Sequence, residues 1–330
     1  MDRKIAVIEV ERDAVPRIWL HIGMLKTGTT AMQQWCAEHE DELRRQRLLY
    51  VRVRKHLPAC GPMADALARR GPEGEKLVAK VLGQIDEAGD GVDDVLISSE
   101  AFSHHGPHSL APLVEALRGH EIFILIWLRR QDRFAEALYK QAVKWSGRTG
   151  NIEEFTRPGR LRQLDYTAFL QAWRKAFPDV GLIPHIYAEA SSGKKPDSVA
   201  ALLTAIGRAD LIPANSAEWR KNLSPKGELI AHYNTIPSER GQSLRKANRQ
   251  VMDEFGEVAA GRGDMLPPEL ARALMDHYAE SNRRLREEWF PERSELFPPD
   301  VDVDADRSAS TVDKAVLERF DGLFAAKTKG

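Results

Sequence analysis

The chain has 330 residues, 42% of them hydrophobic and 29% charged, the balance of a globular protein with room for one large α/β domain or two smaller ones. Its 48 Lys and Arg nearly cancel its 49 Asp and Glu, and a formal charge of −1 argues against bulk attraction to nucleic acid or anionic lipid. Two cysteines, Cys36 and Cys60, exclude a disulfide-dense secreted domain and fit a reduced, cytoplasmic setting. The charged N-terminal segment does not read as a signal peptide, and the longest strongly apolar run, Ile122 to Leu128, is too short to span a bilayer. The expected partners are therefore small molecules, with no nucleic acid and no membrane span, and the sequence leaves the oligomeric state open.

In chain order, Arg17 to Ile22 (RIWLHI) predicts a buried strand and Thr29 to Arg45 the helix after it. Asp94 to Ser98 (DVLIS) and Glu121 to Leu128 (EIFILIWL) predict further strands, each followed by a helical pattern. Val180 to Tyr187 is a weaker strand, because Pro184 removes a ladder donor and suggests an edge or a bulge. Near-continuous apolar strands separated by helices imply a parallel sheet covered on both faces, a three-layer α/β fold with its ligand at the carboxyl ends of the strands. Beyond about residue 195 the pattern turns helical: Asp197 to Ile206, Pro225 to Ile236, Leu244 to Ala260, Pro267 to Trp289 and, after an extended link, Val312 to Ala325. The organisation expected is one domain, with a core at about 17–206 and a helical C-terminal elaboration at about 207–330.

The first strand runs into Gly23-Met24-Leu25-Lys26-Thr27-Gly28-Thr29-Thr30 and then a helix. Free backbone N–H groups and the positive end of a helix dipole converge there on one anion. Gly23 and Gly28 let the chain turn tightly, and Thr29 and Thr30 add hydroxyl donors. The glycine spacing is that of a Walker A loop, but the nucleoside-triphosphate pattern needs Lys directly after the second Gly. Thr29 stands there, and the lysine of the loop is Lys26. The string closely resembles the 5'-phosphosulfate loop of sulfotransferases that use PAPS (3'-phosphoadenosine 5'-phosphosulfate), whose pattern is Lys-(Ser/Thr)-Gly-Thr-Thr after a strand. The LHIGMLKTGTT form is similar to the bacterial branch acting on carbohydrates or small molecules. The resemblance implies a P-loop-type fold, PAPS as donor co-substrate with no metal, Gly23 and Lys26 through Thr30 on the 5'-phosphosulfate, and Lys26 as an electrostatic stabiliser of the departing nucleotide.

After the strand EIFILIW, the charges of Arg129, Arg133, Lys140 and Lys144 recur at 4, 7 and 4 residues, the spacing of one helical side, and their field would suit a second phosphate. In the resembled family an Arg after this strand binds the donor's 3'-phosphate with a Ser eight residues later, often followed by an aromatic and Tyr. Arg129 matches the Arg and Tyr139 the Tyr, while position 137 is Ala, a hydroxyl that Arg130 or Arg133 would have to replace. Family members carry a Glu or a His as base after the strand corresponding to DVLIS. Glu100 is the first candidate here, and His104 or His105 the second. Tyr166, Phe169, Leu170, Trp173 and Phe177 form an amphipathic stripe expected to be core. Asn222-Leu223-Ser224-Pro225 and Asn282 with Arg283 and Arg284 resemble late segments of the bacterial branch, and Arg220-Lys221-Asn222 is a weak stand-in near the 3'-phosphate. Two other classes stay open: a P-loop kinase or ATPase, and a nucleotide-binding module of the same fold without turnover.

Overall fold

The computed structural model of the protein describes residues 15–24, 27–187, 197–216, 224–260, 265–297 and 311–326. Among them, five strands form one sheet: β1 (Arg17–His21), β2 (Leu48–Tyr50), β3 (Asp94–Ser98), β4 (Ile122–Leu128) and β5 (Gly181–Ile186). All pair in parallel, in the order β2-β3-β1-β4-β5. The chain leaves β1 toward β2 on one side and leaves β4 toward β5 on the other. The carboxyl ends of β1 and β4 therefore flank a topological switch point, where α/β sheets open a crevice.

Side chains alternate along each strand, so the sheet feeds two cores. Ile18, Leu20, Val95, Ile97, Ile124 and Ile126 enter a large cluster that also takes in Phe134, Tyr166 and Trp173. Trp19, Leu96, Leu125 and Trp127 face the other way, onto Met32, Trp35, Leu202 and Leu203. Helices thus cover both faces, as the apolar strands predict. Each fully buried Leu, Ile or Phe contributes about 1.5–3 kcal/mol, which makes these faces the main source of stability. The expected aromatic stripe is core as well: Tyr166, Leu170, Trp173 and Phe177 are buried.

Five expectations need adjusting, one of them the helix over Leu244 to Ala260, which runs over Gly241–Phe255 and continues as a 3-10 turn over Gly256–Val258. The helix expected over Thr29 to Arg45 divides at His39 into Thr29–Glu38 and Glu40–Arg45: His39 leaves helical geometry (φ −111°, ψ 19°), and its ring Nδ1 sits 2.9 Å from the Trp35 carbonyl. β2 was not expected, and three residues are too few to display a period. The helix over Pro225 to Ile236 is shorter, Gly227–Tyr233, since Pro225 forms an antiparallel bridge with Ala260. Pro267 to Trp289 is two helices, Pro268–His277 and Ala279–Trp289. Pro184, in contrast, lies where its chemistry demands, in edge strand β5, which pairs with β4 alone. Leu229, Leu244, Val251 and Phe320 of the C-terminal helices join the larger core. No helix among the described residues is long and apolar enough to cross a membrane. Pro196, residues 217–223 and most of the link before Val312 lie outside the described residues.

Candidate functional site

The glycine-threonine segment follows β1 at the switch point. Gly23 and Gly28 both take positive φ, +46° and +73°. Space demands glycine too. A Cβ at Gly23 would stand 3.2 Å from the His21 ring and 3.3 Å from Thr29 Cγ2, and one at Gly28 would stand 3.2 Å from the Tyr187 hydroxyl. Thr27 is buried, and its hydroxyl donates to the Met24 carbonyl at 2.7 Å, pinning the two arms of the turn. Gly28 caps the helix Thr29–Glu38 with no side-chain acceptor, and the first turn carries no acidic residue. The positive end of the dipole therefore stays uncompensated by the helix itself, the condition for receiving an anion. Gly28 and Thr30 are exposed, whereas Thr29 is buried. Leu25 and Lys26 lie outside the described residues.

Beneath the loop is a polar floor. His21 is fully buried, with Nδ1 2.8 Å from Ser98 Oγ, and the same oxygen accepts from Gln33 Nε2 at 3.0 Å. The register sets His21 of β1 opposite Ser98 of β3, so both project to the same side of the sheet. Trp127 stands edge-on to the imidazole at 4.3 Å between ring centres. Burial pushes the His21 pKa down to about 3, so the ring is neutral at ordinary pH. Among the described residues neither His21 Nε2 nor Thr29 Oγ1 has a hydrogen-bond partner. A buried polar atom left so costs about 1–3 kcal/mol.

Two neighbouring strand ends reach the loop. Arg129, half-buried after β4, lays its guanidinium over the Tyr187 ring at 5.9 Å, and the Tyr187 hydroxyl lies beside Gly28, 3.2 Å from where a Cβ there would stand. The buried Tyr166 hydroxyl donates to the Arg129 carbonyl, and the Tyr187 N–H donates to the Leu128 carbonyl at 2.7 Å. After β3, the Ser99 N–H donates to the His21 carbonyl at 2.9 Å, which sets half-buried Glu100 beside the start of the loop. Ser99 Oγ accepts from the Ala101 N–H at 3.2 Å, and the Glu100 side chain caps nothing on the helix Ala101–His105. His104 is exposed, and His105 Nε2 meets Asp65 Oδ1 at 2.8 Å.

The basic stripe divides. Arg129 precedes the helix Gln131–Ser146, so it belongs to the strand end rather than to a helical face. Arg133 is in the first turn, where its N–H donates to Asp132 Oδ1 at 2.8 Å, and Arg130 pairs with the same carboxylate at 3.0 Å. Lys140 pairs with buried Glu136. Ala137 is half-buried, while Tyr139 is buried and donates to the Gly150 carbonyl at 3.0 Å, a packing role. Asn282 exchanges amide hydrogen bonds with buried Gln131, tying the helix Ala279–Trp289 to the start of Gln131–Ser146. Arg283 and Arg284 pair with Glu280 at the surface.

Sequence reasoning missed His21, Gln33, Ser98 and Tyr187 as members of this site. The available signal was polarity inside apolar strands, His21 in RIWLHI and Ser98 in DVLIS, two positions whose adjacency depends on strand order. No family model matches the chain. A protein of Archaeoglobus fulgidus, itself uncharacterized, is 25% identical over 233 residues, which cover 68% of this chain and 62% of that protein. The chain thus spans under two thirds of the length of that relative.

Proposed function

We propose that the chain is a PAPS-dependent sulfotransferase of P-loop type, transferring a sulfonyl group to a hydroxyl of a carbohydrate or another small acceptor. The observation that carries this reading is the loop. Two glycines at positive φ open an uncapped helix start, and the lysine of that loop stands at position 26 rather than after Gly28. A triphosphate loop uses a lysine at position 29, and Thr29 is there. Two cradle positions that a Cβ would fill and buried polar atoms without partners fit an anionic group of the donor.

PAPS would supply a sulfonyl group already activated by a phosphate leaving group. Gly23, Thr27, Gly28, Thr29 and Thr30 would receive its 5'-phosphosulfate through backbone N–H and hydroxyl donors. Lys26 would stabilise the charge that develops as the nucleotide departs. Glu100 would take the proton of the acceptor hydroxyl, with His104 as the second candidate. Arg129, with Arg133, would bind the 3'-phosphate. The path from Gly28 through Tyr187 to Arg129 supports one nucleotide lying across the β1 and β4 ends.

One observation favours a second reading. Ala137 carries no hydroxyl for the 3'-phosphate, as a nucleotide-binding module without turnover would tolerate. The test is to incubate the protein with labelled PAPS and a panel of sugars, without added metal, beside Lys26→Ala. Transfer by the wild type that falls about 10²–10³-fold in a folded Lys26→Ala variant is expected. Near-normal transfer by the variant would refute the mechanism. Binding of adenosine 3',5'-bisphosphate without transfer to any acceptor would favour the module, and preference for ATP with magnesium would point to a kinase or ATPase.

A further inference from the structure

Residues 52–59 connect β2 to the helix Gly61–Ala68, on the other side of β3 from β1. All the strands run the same way, so this loop, Glu100 after β3 and Arg129 after β4 share the carboxyl rim of the sheet. The loop is closed at its neck. The Cys60 thiol donates to the Val51 carbonyl at 3.3 Å, and the Tyr50 hydroxyl donates to the Pro58 carbonyl. Lys80 Nζ, from the helix Pro72–Ala88, donates to the Val53 carbonyl at 2.6 Å. The tip is a β-turn: the Leu57 N–H donates to the Arg54 carbonyl at 3.0 Å, and its central residues Lys55 and His56 are both exposed.

Charge is divided within the loop. Arg52 pairs with Glu40 at 3.0 Å and Arg54 approaches Glu73 at 4.0 Å, whereas neither Lys55 nor His56 is in an ion pair among the described residues. The loop is also braced against the segment that carries Glu100. The Cys60 N–H donates to the Ser98 carbonyl at 2.9 Å, two residues before Glu100, and Asp65 of the helix Gly61–Ala68 meets His105 at 2.8 Å five residues after it. A turn that serves only to be solvated needs none of this anchoring. A cationic tip held on the same rim as a carboxylate is a device for orienting a ligand that has two unlike ends.

We propose that Lys55 and His56 form an acceptor subsite for an anionic group, so that the acceptor is an acidic carbohydrate, carrying a carboxylate besides the hydroxyl that meets Glu100. The assignment rests on Glu100 being the base of the proposed reaction. Glu100 repels the sugar carboxylate and the tip attracts it, which turns the hydroxyl toward the base. Lys55 offers a charge and three donors, and His56 a ring N–H.

The test uses the full chain and two probes of equal length, a hyaluronan tetrasaccharide, which carries glucuronate, and neutral chitotetraose. Titration followed by NMR should show the acidic probe bound about five- to tenfold more tightly. The double variant Lys55→Ala/His56→Ala should lose that preference, and it should fold as wild type in urea unfolding, because both side chains are exposed. Lys55→Arg should keep it, as should Lys246→Ala/Arg249→Ala, which removes two cations from an exposed face of the helix Gly241–Phe255. A preference that depends on residues 55 and 56, without transfer from labelled PAPS to either probe, upholds the subsite and sinks the sulfotransferase reading alone. Equal binding of the two probes, binding of neither, or a preference lost in Lys246→Ala/Arg249→Ala and kept in the double variant overturns the subsite. Transfer from PAPS to chitotetraose would in that case leave the sulfotransferase reading standing.

Discussion

The same face of the same two strands carries a buried polar residue at each end, and the two ends are built on opposite terms. At the amino end Asp94 is fully buried, and both of its carboxylate oxygens are hydrogen-bonded. It accepts from Arg17 Nε at 2.8 Å and Nη2 at 3.1 Å and from Trp19 Nε1 at 2.9 Å, with Arg208 Nη1 at 3.7 Å. At the carboxyl end His21 is equally buried, with one nitrogen bonded and the other unpartnered. A buried group whose two oxygens are both held by the protein is a joint, since a ligand would have to compete with existing bonds. A buried group with an atom left over pays a desolvation cost that a ligand can return. The contrast separates the end of the sheet that holds the protein together from the end proposed to bind.

The largest expected effect is at the joint. Asp94→Ala leaves the Trp19 N–H and the Arg17 guanidinium without their acceptor, and should destabilise the fold by about 3 kcal/mol, the low end for a broken buried pair because Arg17 is 37% exposed. Urea unfolding measures this, and nucleotide affinity of the folded variant should be unchanged. A selective loss of affinity at full stability would erase the distinction between the two ends. Next, Arg129→Ala should raise the donor KM about 10–100-fold, equivalent to losing one charge-assisted hydrogen bond, with kcat falling less, since a remote contact is largely uniform binding. An unchanged donor KM removes Arg129 from the binding end.

The last prediction concerns pH dependence. His21 has an ordinary pKa of 6.5 in the unfolded chain and one near 3 when folded, so below pH 6.5 the unfolded state binds the extra proton. Its contribution to stability is whole above pH 6.5 and is lost as pH falls toward 3, by about 1.4 kcal/mol for each pH unit. Comparing urea unfolding of wild type and His21→Gln at pH 7 and pH 5 isolates that slope. Parallel losses in the two proteins would mean that His21 is protonated in the folded state, and the binding end would then be cationic.

Much of the scaffold was legible in the sequence because strand and helix signals are local. β3 and β4 came within a residue of their expected bounds, since DVLIS and IFILIWL are apolar runs between polar turns. The glycine turn was legible for the same reason: Gly23 and Gly28 stand close together in the sequence, and both take the positive φ that favours glycine. Less legible was the basic stripe. A spacing of 4, 7 and 4 gives one face only if a single helix carries all four residues, and the helix Gln131–Ser146 begins after Arg129. Nor did the sequence show that Arg130 shares the Asp132 carboxylate, or that Tyr139 and Asn282 are packing residues.

By itself, then, the sequence determined a strand from Arg17 and a helix from Thr29 on either side of a glycine turn, the parallel α/β character and, as a proposal, anion chemistry at Gly23 to Thr30. Each depends on interactions between near neighbours or on a period read along one segment. Tertiary structure alone decided what surrounds that loop. β3 and β4 are inserted on either side of β1, and this pairing sets Ser98 beside His21, brings Arg129 over Tyr187 and sets the Tyr187 hydroxyl beside Gly28. Such contacts join residues 58 (Arg129 and Tyr187), 77 (His21 and Ser98) and 159 (Gly28 and Tyr187) positions apart, and no local propensity encodes them. They follow from which apolar faces the chain can bury together, a property of the whole sheet.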